Sequence, residues 1–190
     1  MLRLLLVITV IGVAHCEDCP IFSALKNDVS LLNKLNGTFY KIFATSVSPV
    51  ANCQKQTFNN GPNNTLTGYF ESPDWCLRLD HCDTSISDYF QCDLTAIGPG
   101  TVGTLPSTQR NSIKLVRQIG TGDNICLLYS YCRIGEEGAY VLCQQPPQLL
   151  FTLFLEVVQI LNTLLGLISK VPPLKIVSQA RCDFPNSCPP

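Results

Sequence analysis

The sequence predicts an all-β, antiparallel barrel or sandwich followed by one C-terminal helix. Three observations lead there. From residue 38 to residue 143 the chain is a series of short β-branched and aromatic runs separated by turn clusters. After Pro146-Pro147 the apolar period changes from strand-like to helical. Eleven cysteines in 190 residues are more than a reducing compartment accommodates, which points to a disulfide-rich domain in an oxidising one.

In chain order, the amino terminus comes first. Met1-Leu2-Arg3 and an apolar run over 4–13 have the form of a secretory signal, and Ala14 and Cys16 fit the small positions before a cleavage site. The apolar run is too short to span a bilayer. A signal peptide of 1–16 is expected, with one domain over 17–190. Cleavage there removes Arg3 and Cys16 and leaves ten cysteines, an even number compatible with five bridges, and a formal charge of −2. Asn36-Gly37-Thr38 and Asn63-Asn64-Thr65 are glycosylation sequons, so Asn36 and Asn63 are candidate sugar acceptors.

The strand runs are 38–46, 65–71, 76–79, 89–97, 113–119, 125–132 and 140–143. Their breakers include Asn59-Asn60-Gly61-Pro62, Ser72-Pro73-Asp74, Gly98-Pro99-Gly100, Gly120-Thr121-Gly122-Asp123 and Gly135-Glu136-Glu137-Gly138. Leu66, Gly68 and Phe70 alternate with Thr65, Thr67 and Tyr69, so one face of that strand looks inward. Over 149–169 the polar residues Thr152, Glu156, Gln159, Asn162 and Thr163 form one stripe of a helix with a broad apolar face. Pro172-Pro173 stops it. The expectation is a helix packed on the sheet. An alternative is an apolar strip that docks a protein partner or a membrane surface. The polar residues in mid-segment argue against a transmembrane span.

Composition excludes several function classes. Thirteen Lys and Arg nearly balance fourteen Asp and Glu, and only 14% of residues are charged, so no field exists to recruit nucleic acid. Past the signal, the one histidine is His81, in Leu79-Asp80-His81-Cys82-Asp83. No nucleophile elbow or triad surrounds it, and it is expected to face solvent at a strand end. No Cys-x2-Cys pair survives signal removal and no glycine-rich phosphate loop is present, so no metal and no cofactor are expected. The chain does not read as an enzyme.

One run stands out: Leu35-Asn36-Gly37-Thr38-Phe39-Tyr40-Lys41-Ile42-Phe43-Ala44, after Cys19-Pro20. It resembles the Gly-x-Trp-Tyr-x-Ile-Ala opening of the lipocalin family. Cys53 with Phe58 is similar to the family's entry to its second strand. Asp123-Asn124 with Leu128-Tyr129-Ser130-Tyr131-Cys132 is similar to the penultimate strand, and Tyr140-Val141-Leu142-Cys143 to the last. The helix and Leu174-Lys175-Ile176-Val177-Ser178-Gln179-Ala180-Arg181-Cys182 follow in the family's order. The cysteines look most like the branch with apolipoprotein D and the insect bilin-binding proteins. Two positions depart from the pattern: Phe39 stands where the family has a floor tryptophan, and Gln144 where it has a covering arginine.

The resemblance implies an eight-stranded antiparallel up-and-down barrel over about 37–145, with the helix over 149–169 packed on it and a tail over 170–190. It implies bridges Cys19 to Cys132 and Cys53 to Cys182. Cys76, Cys82, Cys92, Cys126, Cys143 and Cys188 then allow fifteen pairings, of which a turn near Ile86-Ser87 favours Cys82 with Cys92. It implies a secreted, extracellular carrier that holds a small hydrophobic molecule, such as a lipid, pigment, retinoid or odorant, and does not transform it. Candidate lining residues are Phe43, Leu66, Phe70, Phe90 and Tyr129, on the apolar side of alternating strands. The mouth loops are expected at 46–54 and 98–110.

Overall fold

The structure, a computed structural model, describes residues 19–45, 51–61, 65–97, 108–119, 125–133, 136–145, 150–165, 173–184 and 188. The signal segment, Asn63 and residues 46–50 and 98–107 of the expected mouth loops lie outside the described residues. Eight strands form a closed antiparallel barrel: β1 (Gly37–Thr45), β2 (Lys55–Asn60), β3 (Leu66–Ser72), β4 (Trp75–Asp83), β5 (Phe90–Ile97), β6 (Thr108–Ile119), β7 (Cys126–Arg133) and β8 (Glu136–Cys143). Each strand pairs with the next. β8 returns to β1, which also pairs with β2, so every barrel strand has two neighbours. A ninth, short strand β9 (Leu174–Ile176) pairs with Phe43–Thr45 of β1.

Two helical pieces precede the barrel and one follows it. They are α1 (Pro20–Ala24), a 3-10 segment (Val29–Lys34) and α2 (Leu150–Leu165). The 3-10 segment starts where Asp28 accepts a hydrogen bond from the Ser30 backbone amide. Its Leu31 and Leu32, with Leu35, are buried against Phe39, Phe58, Leu66, Phe90 and Ile113 inside the barrel. This end is therefore closed by packed side chains. Phe39 meets Phe58 edge-on at 6.0 Å between ring centres, so a phenyl ring fills the floor by packing alone.

The outer layer is separate. On α2, Leu153, Val157, Ile160 and Leu161 are buried, while Leu155, Gln159, Asn162 and Thr163 are exposed. That apolar stripe, together with Ile21 and Leu25, covers Ile42, Phe43, Leu128, Ala139 and Val141 on the outside of the barrel. Of the expected polar stripe, Gln159, Asn162 and Thr163 face solvent, Glu156 is half-buried, and the Thr152 side chain lies outside the described residues.

Four local readings are corrected by the structure. Lys55–Asn60 forms β2 although it carries a single large apolar residue, Phe58, and ends in the Asn59-Asn60 pair read as a breaker. A strand paired on both sides in a closed sheet is held by its ladder and needs no apolar run. Gly138 and its neighbours belong to β8. A Cβ on Gly138 would stand 2.8 Å from the Tyr131 ring, so this glycine makes room for an aromatic ring across the pair. Residues 108–110, expected in a mouth loop, open β6. β4 continues past residue 79 to Asp83 through an irregularity between Asp80 and Asp83, where His81 adopts φ 48°.

Five disulfides lace this frame. Cys19–Cys132 and Cys53–Cys182 are joined, as is Cys82–Cys92 across β4 and β5. The two pairings left open are Cys126–Cys143, with Cα atoms 4.1 Å apart on β7 and β8, and Cys76–Cys188. Cys126 and Cys143 stand directly opposite in the β7–β8 register, which brings their Cα atoms within bridging range.

Candidate functional site

The barrel is filled at the floor and hollow toward the other end, where a cavity of about 340 Å3 opens. Its apolar wall is Phe70, Trp75, Leu77 and Leu94. These come from β3, β4 and β5, where alternation turns every second side chain inward. The facing wall is aromatic and polar: Lys41 from β1, Gln54 and Gln56 beside and on β2, Asn111 from β6, Tyr129, Tyr131 and Arg133 from β7, and Glu136 and Tyr140 from β8.

The tyrosines form a stack. Tyr140 lies parallel to Tyr131 at 4.8 Å and to Tyr129 at 6.1 Å between ring centres. Tyr131 Oη donates to Glu136 Oε1 at 2.6 Å. The Arg133 guanidinium grips the same carboxylate, with Nε 2.8 Å from Oε2 and a second nitrogen also bonded. Burial pushes the Glu136 carboxyl up, but the Tyr131 hydroxyl and the Arg133 charge outweigh it and hold it below the usual carboxylate range. Burial raises the three phenols above their ordinary value, so they remain neutral donors near neutral pH.

Lys41 is the unusual group. It is 6% exposed and its Nζ sits 3.4 Å from the centre of the Tyr140 ring. Burial pulls its amine down to about 7, with Glu136 opposing the shift and Arg133 adding to it. The backbone around it is fixed from outside, because Gln179 Nε2 of the tail donates to the carbonyls of Lys41 and Gln54 at 2.7 and 3.1 Å. The Cys53–Cys182 bridge anchors that tail.

Three buried amide oxygens, Gln54 Oε1, Gln56 Oε1 and Asn111 Oδ1, have no hydrogen-bond partner among the described residues, and the fourth buried oxygen, Tyr129 Oη, meets only the Asn111 side chain. All four belong to side chains that line the cavity. Native interiors rarely leave such groups unpaired, and water or a ligand usually completes them. The arrangement therefore suits a molecule with an apolar body and a small polar end.

The five residues expected to line the cavity divide three ways. Phe70 and Tyr129 line it. Leu66 and Phe90 point into the barrel but are consumed by the packed floor. Phe43 is outside, against Phe154 of α2 at 5.6 Å between ring centres. The cause is a register irregularity between Lys41 and Phe43 in the β1–β8 pairing, which breaks the alternation that Phe39 and Lys41 obey. Lys41, Trp75, Asn111, Arg133 and Glu136 were not singled out from the sequence. For Lys41 a signal was present, since it lies two residues from Phe39 and so shares its face.

The remaining candidates lie apart from this cavity. Asn36 is exposed just before β1. His81 has a side chain 84% exposed, with Nδ1 3.6 Å from Asp93 Oδ2, and is not among the lining residues. On α2, Leu155 is the one exposed large apolar residue among the described side chains. No helix of the described residues is long and apolar enough to cross a membrane. No protein-family model matches the chain, and no curated protein matches it.

Proposed function

We propose that the chain is a secreted, lipocalin-like carrier that holds one small hydrophobic molecule in its barrel without transforming it. The observation that carries this reading is the cavity of about 340 Å3 inside the open end of the closed barrel. It joins an apolar wall to a few polar groups, and its size falls at the lower end of the usual range for small-molecule sites. Phe70, Trp75, Leu77 and Leu94 would cover the apolar body of the ligand, at about 25 cal/mol per Å2 removed from water. The cost of immobilising the ligand reduces that gain. Gln54, Gln56, Asn111 and Tyr129 would receive its polar end. Five disulfides favour an oxidising, extracellular setting.

Native mass spectrometry of protein purified from its own source tests the reading. A stoichiometric small-molecule adduct is expected. A displacement screen with fluorescent fatty acids, retinoids and tetrapyrroles then narrows the class. A bare chain mass together with no displacement by any of the three overturns the carrier.

A further inference from the structure

We propose that Lys41 is a covalent capture point for an apolar aldehyde, its amine forming an imine with a ligand whose hydrocarbon body lies on Phe70, Trp75, Leu77 and Leu94. This rests on the carrier reading and names the ligand class within it.

The geometry is that of a desolvated amine facing a cavity. Lys41 lines the hollow yet is 6% exposed, so a ligand inside the barrel meets it while bulk water hardly does. Among the described residues no carboxylate stands within ion-pairing distance of its Nζ. The Glu136 carboxylate is committed to Tyr131 and Arg133. The other charged groups on this wall are Arg133, which opposes a proton on Lys41, and Lys55, paired with Glu71 at 3.3 Å. A buried ammonium with no anion of its own is costly, and the free amine with its lone pair becomes the nucleophilic form. Tyr140 covers one side of the nitrogen at 3.4 Å, leaving approach from the hollow.

The step balances without an oxidant or a reductant. The Lys41 lone pair attacks the carbonyl carbon, and an N–H proton passes to the carbonyl oxygen to give a carbinolamine. Its C–O bond then breaks with loss of one water, leaving a C=N bond. If the imine takes a proton, Glu136 offsets the charge from beyond ion-pairing distance. The hydrocarbon body of the bound ligand, packed on Phe70, Trp75, Leu77 and Leu94, limits the access of water to the imine. Lys26 and Lys34 are exposed, so an imine formed on either meets solvent and hydrolyses.

Decanal is a suitable probe, with decanol as the analogue of similar shape that forms no imine. The wild-type protein is incubated with one equivalent of decanal, treated with borohydride to convert any imine to a stable secondary amine, and mapped by peptide mass spectrometry. Decanol binding to the same protein is measured by displacement of a fluorescent fatty acid. The expected result is one decyl group, on Lys41 at least about tenfold more than on any exposed lysine, suppressed by excess decanol and lost in Lys41→Arg. Decanol binding with no adduct on Lys41, or with adducts spread over exposed lysines, overturns the capture and leaves the carrier standing. Absence of both decanol binding and a Lys41 adduct overturns the capture, and the carrier falls with it only if the chain mass is also bare and none of the three fluorescent probe classes binds.

Discussion

At Lys41 a single substitution isolates the cost of a buried charge. Its amine is held at about 7 against an ordinary 10.5. Between those values the unfolded chain binds a proton that the folded chain has released, so folding becomes more favourable as pH rises through that window. Below pH 7 both states are protonated and the burial cost stands in full. Lys41→Met removes this cost together with the contact to Tyr140. The variant is expected to be more stable than wild type by about 3 kcal/mol near pH 6, from the size of the shift less the cation–π contact. The gap should narrow steadily toward pH 9.5. Urea denaturation at both pH values checks it, and parallel curves would refute it. The raised tyrosines act above this range and are common to both proteins. From the sequence alone, Lys41 was placeable and Phe43 was not. Strict alternation from Phe39 puts Lys41 inward, but it also puts Phe43 inward, and no residue type there announces the irregularity that turns Phe43 toward α2.

Elements with a strong pattern were readable, and those held by their neighbours were not. β3 shows its inward face in Leu66, Gly68 and Phe70, and β7 is apolar or aromatic at most positions because α1 and α2 cover its outer side. β2 carries Lys55, Gln56 and Thr57, and what makes it a strand is the ladder to β1 and β3, which lies far away in sequence. The short helix α1 is a similar case, since five residues do not sustain a helix alone. It is held from both ends by side chains of the barrel. Glu137 Oε2 accepts from the amides of Ile21 and Phe22 at 2.9 and 3.1 Å. Lys114 Nζ donates to the carbonyls of Phe22 and Leu25 at 2.9 and 2.7 Å. Lys114→Met leaves those two carbonyls without their donor, at a cost of about 2 to 4 kcal/mol. Hydrogen exchange should quicken at the amides of Ile21 to Leu25 while those of Leu127 and Leu142 stay protected. Uniform loss of protection would mean that α1 is part of the barrel's own cooperative unit.

For the whole molecule, the class of architecture was legible and the division of its interior was not. Turn spacing pointed to an antiparallel barrel or sandwich and the helical period after Pro146-Pro147 to a covering helix. The family resemblance supplied closure and the count of eight. How far the floor rises depends on side-chain packing: Leu66 and Phe90, on inward faces like Phe70, are taken up by Phe39, Phe58 and Ile113, which leaves the hollow to the open half. Two of the five bridges likewise required the strand register and the position of the tail, neither of which a spacing pattern encodes.

The spans of those bridges have one further result. Cys19–Cys132, Cys53–Cys182 and Cys76–Cys188 overlap along the chain, so every peptide bond from Cys19 to Cys188 lies inside at least one covalent ring. A protease that nicks a surface turn once therefore frees no fragment. Limited digestion should give a species that migrates as one piece on a non-reducing gel and separates into two after thiol treatment. Fragments released without thiol after a single cut would contradict the pairing. In a fluid rich in hydrolytic enzymes, such a molecule is clipped long before it is dismantled.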